Sequence, residues 1–111
     1  ASPDIREVVV QHGGYEISAA KCELLNRHNL RLAVTGEAAV LSDVSIGWAT
    51  VRLISSGNVV SSQVQTSTYV NRFAGSSEVA GELLVRAIND AVAGLDFELA
   101  AQEVKRKMAS R

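Results

Sequence analysis

The chain has 111 residues, 47% of them hydrophobic and 21% charged, which suits one globular domain and is too short for two. Its formal net charge of −1 gives no electrostatic case for DNA, RNA or anionic lipid as the main partner, and no apolar run approaches the ~20 residues of a membrane-spanning helix. Cys22 is the single cysteine, so neither an internal disulfide nor a cysteine-based metal cluster can form within one chain.

The chain starts ASPDIREVVV, without an initiator Met. A small-residue start fits cleavage by a signal peptidase, and an expression remnant would read the same way. Export, to a periplasm or cell envelope, is the expectation. Pro3 is the only proline and falls in a start expected to lack structure, so no later element is interrupted by one. There is no linker, repeat or low-complexity tract.

The short β-branched segment from Arg6 to Gln11 predicts a strand, broken by His12-Gly13-Gly14. From Tyr15 to His28, Ile17, Ala20, Leu24 and His28 recur at helical spacing beside Leu25, which predicts an amphipathic helix stopped by Asn29. Leu30 to Leu41 opens with Leu30, Leu32 and Val34 alternating against Arg31 and Thr35, a strand pattern, and Gly36 marks a bulge or bend. Ser42-Asp43 supplies a turn.

Val44 to Val70 then runs for 27 residues with one charge, Arg52, out of the 23 charged residues in the chain. Val44, Ile46 and Trp48 alternate with Ser45, Gly47 and Ala49, a strand continuing to about Ile54. Ser55 to Asn58 reads as a hairpin turn with Gly57 at positive φ, and Val59 to Val70 as the returning strand. One face of that strand carries Val60, Ser62, Val64, Thr66, Thr68 and Val70. The other carries Ser61, Gln63, Gln65, Ser67 and Tyr69 and is almost wholly polar.

Gly75 to Leu95 holds a continuous apolar stripe of Val79, Leu83, Leu84, Ala87, Ile88, Ala91 and Val92, which predicts a core helix capped by Ser76 or Ser77. Asp96 caps a last helix with Phe97, Ala100, Val104 and Met108 on one side and Lys105 to Lys107 near its end. The sequence therefore predicts a single α+β domain over residues 1–111. It has an antiparallel sheet of about four strands with helices packed on one face, in the order β-α-β-β-β-α with a further helix.

The chemistry-bearing residues are few. His12-Gly13-Gly14 between a strand and a helix resembles the oxyanion loop of lipases and esterases, whose backbone N–H groups hold a developing negative charge. That family's Gly-x-Ser-x-Gly nucleophile is absent and the chain is about half the length needed. A tight turn accounts for the glycines equally, and a small enzyme or ligand-binding domain using His12, Gly13 and Gly14 stands as the alternative function. Cys22, between Lys21 and Glu23, reads as a structural thiol, and His28 as a helix-terminal imidazole. His12 and Glu16 lack a third ligand, so no metal and no cofactor is expected. Lys105 to Lys107 is a solvated helix end.

The charge-poor hairpin carries the functional expectation, because free sheet edges normally carry charge, Pro or bulges. It could be interior to its own sheet, pair edge-to-edge with another chain, or insert in a membrane as a pore stem does, the last being the least favoured. The leading function is a non-catalytic binding or assembly module that self-associates or docks a protein partner. Trp48, Gln63, Gln65, Ser67 and Tyr69 are the expected contact residues. In element order, a helix followed by long hairpins and a C-terminal amphipathic helix resembles small envelope lipoproteins that assist outer-membrane assembly or transport. That resemblance rests on no motif and assigns no residues.

Overall fold

The structure, a computed structural model, describes residues 5–110; Pro3 lies outside them. Four helices and three strands follow one another as α1 (Ile5–Gln11), α2 (Ala19–His28), β1 (Leu30–Leu41), β2 (Val44–Ser55), β3 (Gln65–Asn71), α3 (Ser77–Gly94) and α4 (Phe97–Ala109). The strands form one antiparallel sheet in the order β1-β2-β3. The class is α+β, as expected, with three strands rather than four.

The missing strand is the first element. Arg6 to Gln11 belongs to α1, because Ile5, Val8, Val9 and His12 stand at helical spacing and turn one side to the core while Arg6, Glu7 and Gln11 face solvent. Packing against the rest of the molecule outweighs the strand preference of three valines. Gly13 (φ 88°) and Gly14 (φ 79°) end α1 in left-handed conformations, and the Gly14 N–H donates to the Val9 carbonyl at 2.8 Å. The chain then runs extended to Ser18, whose hydroxyl accepts from the Lys21 N–H and starts α2 four residues later than the spacing from Tyr15 suggests. Asn29, left-handed at φ 54°, closes α2 as predicted.

β1 and β2 pair over their full lengths around a two-residue loop, Ser42-Asp43, with Ser42 at φ 59°. At the other end of β2 the turn falls at Ser55 to Asn58, with Asn58 (φ 64°), not Gly57, in the left-handed region. The returning chain does not pair continuously. Val60 bridges Ile54, Ser61 is fully buried, and its hydroxyl accepts the Leu53 N–H that a strand carbonyl would otherwise take. Regular pairing resumes only at Gln65.

The faces of the sheet divide sharply. Ser45, Gly47, Ala49, Val51, Leu53 and Ser55 of β2 are all buried, and their β1 partners run from Val40 through Ala38, Gly36, Val34 and Leu32 to Leu30. This is the face covered by helices. α3 lies across it and supplies Leu84, Ala87, Ile88, Ala91 and Val92 to the core, with Val8, Leu24, Leu25, Phe97 and Val104 from the other helices. Near its middle α3 comes down to backbone contact: a Cβ on Gly47 would lie 2.2 Å from the Leu84 nitrogen and 2.4 Å from the Leu83 carbonyl carbon. The small residues of β2 are therefore the inward ones.

Ser45 fixes where α3 begins. It is fully buried; its hydroxyl donates to the Ala74 carbonyl and accepts the Ser76 N–H at 3.0 Å, and the Ser76 side chain caps α3 through the Val79 N–H. A core serine is thus satisfied by the loop it anchors.

Gly47→Ala should cost about 3 kcal/mol or more, since the new methyl meets backbone that cannot rotate away. Gly57→Ala, where the nearest atom would be Ser55 Oγ at 3.8 Å, should stay within about 0.5 kcal/mol. Denaturant melts of the two variants against wild type measure the contrast; equal losses would mean that α3 does not sit on β2.

Candidate interaction surface

Among the described residues the sheet is covered on one side, which leaves a second face whose residues are set by the register. Reading across β1, β2 and β3, its rows are Ala39–Ile46–Val70, Glu37–Trp48–Thr68 and Thr35–Thr50–Thr66, continued by Ala33–Arg52 and Arg31–Ile54. Ile46, Trp48, Thr50, Arg52 and Ile54 are half-buried by their neighbours alone. Thr50 and Thr66 share a hydroxyl hydrogen bond of 2.8 Å across the strands. One end of the face is apolar: Leu41, Val44, Ile46 and Val70 gather there, and Phe73, just past β3, is 99% exposed.

The structure separates the residues expected to act together. Trp48 lies on this open face. Gln65, Ser67 and Tyr69 lie on the opposite one, toward α3, because their register partners are the buried Val51, Ala49 and Gly47. Polar strand residues thus sit beneath a helix. Gln65 packs against Gly94, and Tyr69 donates its hydroxyl proton to Asp90 while the Arg86 guanidinium stands 5.5 Å above its ring. The bond to Asp90, burial and the Asp90 charge raise the Tyr69 pKa above its ordinary 10.0, with Arg86 opposing. The outward residues of β3 are instead Thr66, Thr68 and Val70, all exposed.

Gln63 belongs to neither face. It lies in the irregular segment before β3, where α4 holds the chain. Glu103 Oε1 accepts the N–H groups of Ser62 (2.8 Å) and Gln63 (2.9 Å). One turn on, Lys107 Nζ donates to the Val60 carbonyl (3.0 Å) and Ser62 Oγ (2.9 Å) and lies 3.5 Å from Glu103. One residue of the expected solvated basic end therefore turns back as a clasp. The Ser62 hydroxyl, the Gln63 and Ser62 N–H groups and the Lys107 charge outweigh burial and bring the Glu103 carboxyl down from 4.5 to about 2.

With its inner face under α3 and its start clasped by α4, β3 still has one side without a strand among the described residues. Its sequence, QTSTYVN, has no charge and no proline along that edge. The opposite edge, β1, carries Arg31 and Glu37.

The residues of the alternative site are placed differently from the sequence expectation. His12, Gly13 and Gly14 follow a helix, not a strand, and the three N–H groups donate to the α1 carbonyls of Val8, Val10 and Val9. They close a helix C-terminus. His12 is half-buried against Gly81 of α3 and borders a cleft of about 400 Å³ with Val8, Gln11, Ala38, Val40, Ser77 and Ala80. It is the one ionisable side chain in that lining. Cys22 is half-buried on α2, and His28 ends that helix beside Arg27. Lys21, next to Cys22, donates to the Val92 carbonyl at 2.9 Å and stands 5.0 Å over the Phe97 ring, tying α2 to the α3–α4 corner. Among the described residues there is no group of three side chains that could hold a metal ion and no helix long and apolar enough to cross a membrane.

No protein-family model, curated protein or solved structure matches the chain.

Glu103→Gln should lower stability by about 1 kcal/mol at neutral pH, the difference between a charged and a neutral acceptor. Because the folded carboxyl titrates near 2 and the unfolded one near 4.5, that contribution is complete above 4.5 and disappears as the pH falls toward 2. Urea melts from pH 7 down to 2 should show the two proteins converging across that window; a constant gap would mean that the clasp does not form.

Proposed function

We propose that the chain is a non-catalytic association module that accepts a protein strand on the open edge of β3. One observation carries this reading: a seven-residue edge strand with neither charge nor proline, without a neighbouring strand among the described residues, in a sheet whose other edge is charged. Unpaired N–H and carbonyl groups on such an edge are a template for one more strand, and natural sheets that must stay single normally block it. Strand addition supplies main-chain hydrogen bonds for affinity and leaves side chains on both faces for selectivity. Here the open face offers Thr66, Thr68 and Val70 beside the Ile46 and Trp48 rows.

A lysine at Gln65 or Ser67 would be driven against α3 and would disturb the monomer itself. A lysine at Thr68 stands on the open face.

A photoreactive residue in place of Thr66, in the full chain expressed in its native host, should give a covalent adduct with another protein chain. The same residue in place of Leu99, exposed on α4, should give none. Thr68→Lys, added to the Thr66 probe, should abolish the adduct while leaving unfolding free energy within about 0.5 kcal/mol. An adduct that forms equally from position 99, or that persists with Thr68→Lys, would sink the reading.

A further inference from the structure

We infer that the strand received by β3 is β3 of a second copy of this chain, paired antiparallel about a two-fold axis at Thr68, with Arg86 of each copy facing Asp90 of the other. This rests on the reading of β3 as a pairing edge and adds the identity of the partner and the register.

The strand is compatible with itself. Centred on Thr68, antiparallel pairing uses all seven residues and sets Gln65 opposite Asn71, Thr66 opposite Val70, Ser67 opposite Tyr69 and Thr68 opposite itself. Gln65 and Asn71 set amide against amide, Ser67–Tyr69 and Thr68–Thr68 set hydroxyl against hydroxyl, Thr66 meets Val70, and no like charges face each other. Every pair keeps its residues on the same face as in the monomer, so the helices of both copies lie on one side of a continuous six-stranded sheet. A self-complementary patch of this kind is what a two-fold interface requires.

The helix layer supplies a second, independent match. Gly94 stands against Gln65, and the Leu84 backbone stands on Gly47, the register partner of Tyr69, so α3 runs antiparallel to β3. Ten helical residues at about 1.5 Å span about 15 Å, and four strand residues at about 3.4 Å span about 14 Å, so the two elements advance together. Thr68 lies about 10 Å along β3 from Gln65, which corresponds to roughly seven residues of α3 back from Gly94, beside Ala87. Ala87 is one residue, about 1.5 Å, from Ile88, the midpoint between Arg86 and Asp90. Both of these side chains are exposed and lean over β3, the first above the Tyr69 ring and the second on its hydroxyl. An axis through Thr68 therefore brings Arg86 of one copy to within about 3 Å of the level of Asp90 of the other, twice, within reach of the two long side chains and with opposite charges facing.

Sedimentation at matched concentration tests the arrangement with wild type, Arg86→Asp, Asp90→Arg and an equimolar mixture of the two variants. Wild type should be a dimer. Each variant alone sets like charges against each other at two places and should dimerise roughly tenfold or more weakly. The mixture restores Asp–Arg at one place and Arg–Asp at the other and should recover the dimer, which a merely misfolded variant could not do. A monomeric wild type, or a mixture no tighter than its components, overturns the inference. The two levels separate cleanly. A dimer lost in Thr68→Lys but indifferent to the charge changes keeps the edge and removes this register. A dimer that survives Thr68→Lys removes both. A cross-link from position 66 to a different protein, with wild type monomeric, keeps the edge and removes the second copy.

Discussion

The architecture depends on the backbone of α3 resting on the backbone of β2 at Gly47. Two main chains can approach that closely only where no Cβ intervenes, and the inward positions of β2 respond accordingly, with Ser45, Gly47 and Ala49 under the first turns of the helix and Val51 and Leu53 further along. The close approach fixes the height of the helix over the sheet, and the alternation of the strand then sends Ile46 and Trp48 to the other side. It also sets the position of α3 over β3, where Arg86 and Asp90 reach Tyr69. One missing methyl group thus governs both the covered face and the contents of the open one.

Around that contact, a small number of polar side chains replace regular pairing. Ser45 holds the loop that enters α3, Ser61 completes the ladder where the strand is irregular, and the Glu103–Lys107 pair of α4 binds the backbone that leads into β3. Each buried hydroxyl faces a backbone group that would otherwise be unsatisfied, and among the described residues no buried side-chain nitrogen or oxygen lacks a partner. The extended segment between α1 and α2 is secured similarly, by the Glu16 N–H on Asn89 and by Lys21 on Val92.

Where local pattern and burial coincide, the sequence was sufficient. β1 ends where the alternation and the Ser42-Asp43 turn place it, Asn29 stops α2, and the apolar stripe of α3 with its serine cap is found as read. The errors have a common cause: packing between distant segments. Three valines in a row predicted a strand, yet α1 packs against β1 and α3 through its Ile5–Val8–Val9–His12 spacing, a pattern present in the sequence but outweighed there by β-branching. The polar side of β3 was expected to meet a partner, and lies under a helix beside Gly47, which has no side chain to keep that helix away. Trp48 lies on the open face, while Gln65, Ser67 and Tyr69 belong to the other. The Arg86–Asp90 pair off the apolar stripe of α3 was visible as an i,i+4 pair, but nothing local says which strand it overhangs.

The strand order carries a consequence for the size of any assembly. A sheet with two open edges can add copies without limit, which is the route to fibres. In this sheet the β1 edge carries Arg31 and Glu37, and the β3 edge is bounded, by the α4 clasp before Gln65 and by the turn in which Asn71 Oδ1 accepts the Phe73 N–H after it. A usable edge of seven residues is about 24 Å long. Once occupied, it presents no fresh edge of the same kind, so growth ends with the first strand added. In the assembly proposed above, the asymmetry between the two sides of the sheet would act as a chain terminator for polymerisation, written into which strand was made the outermost.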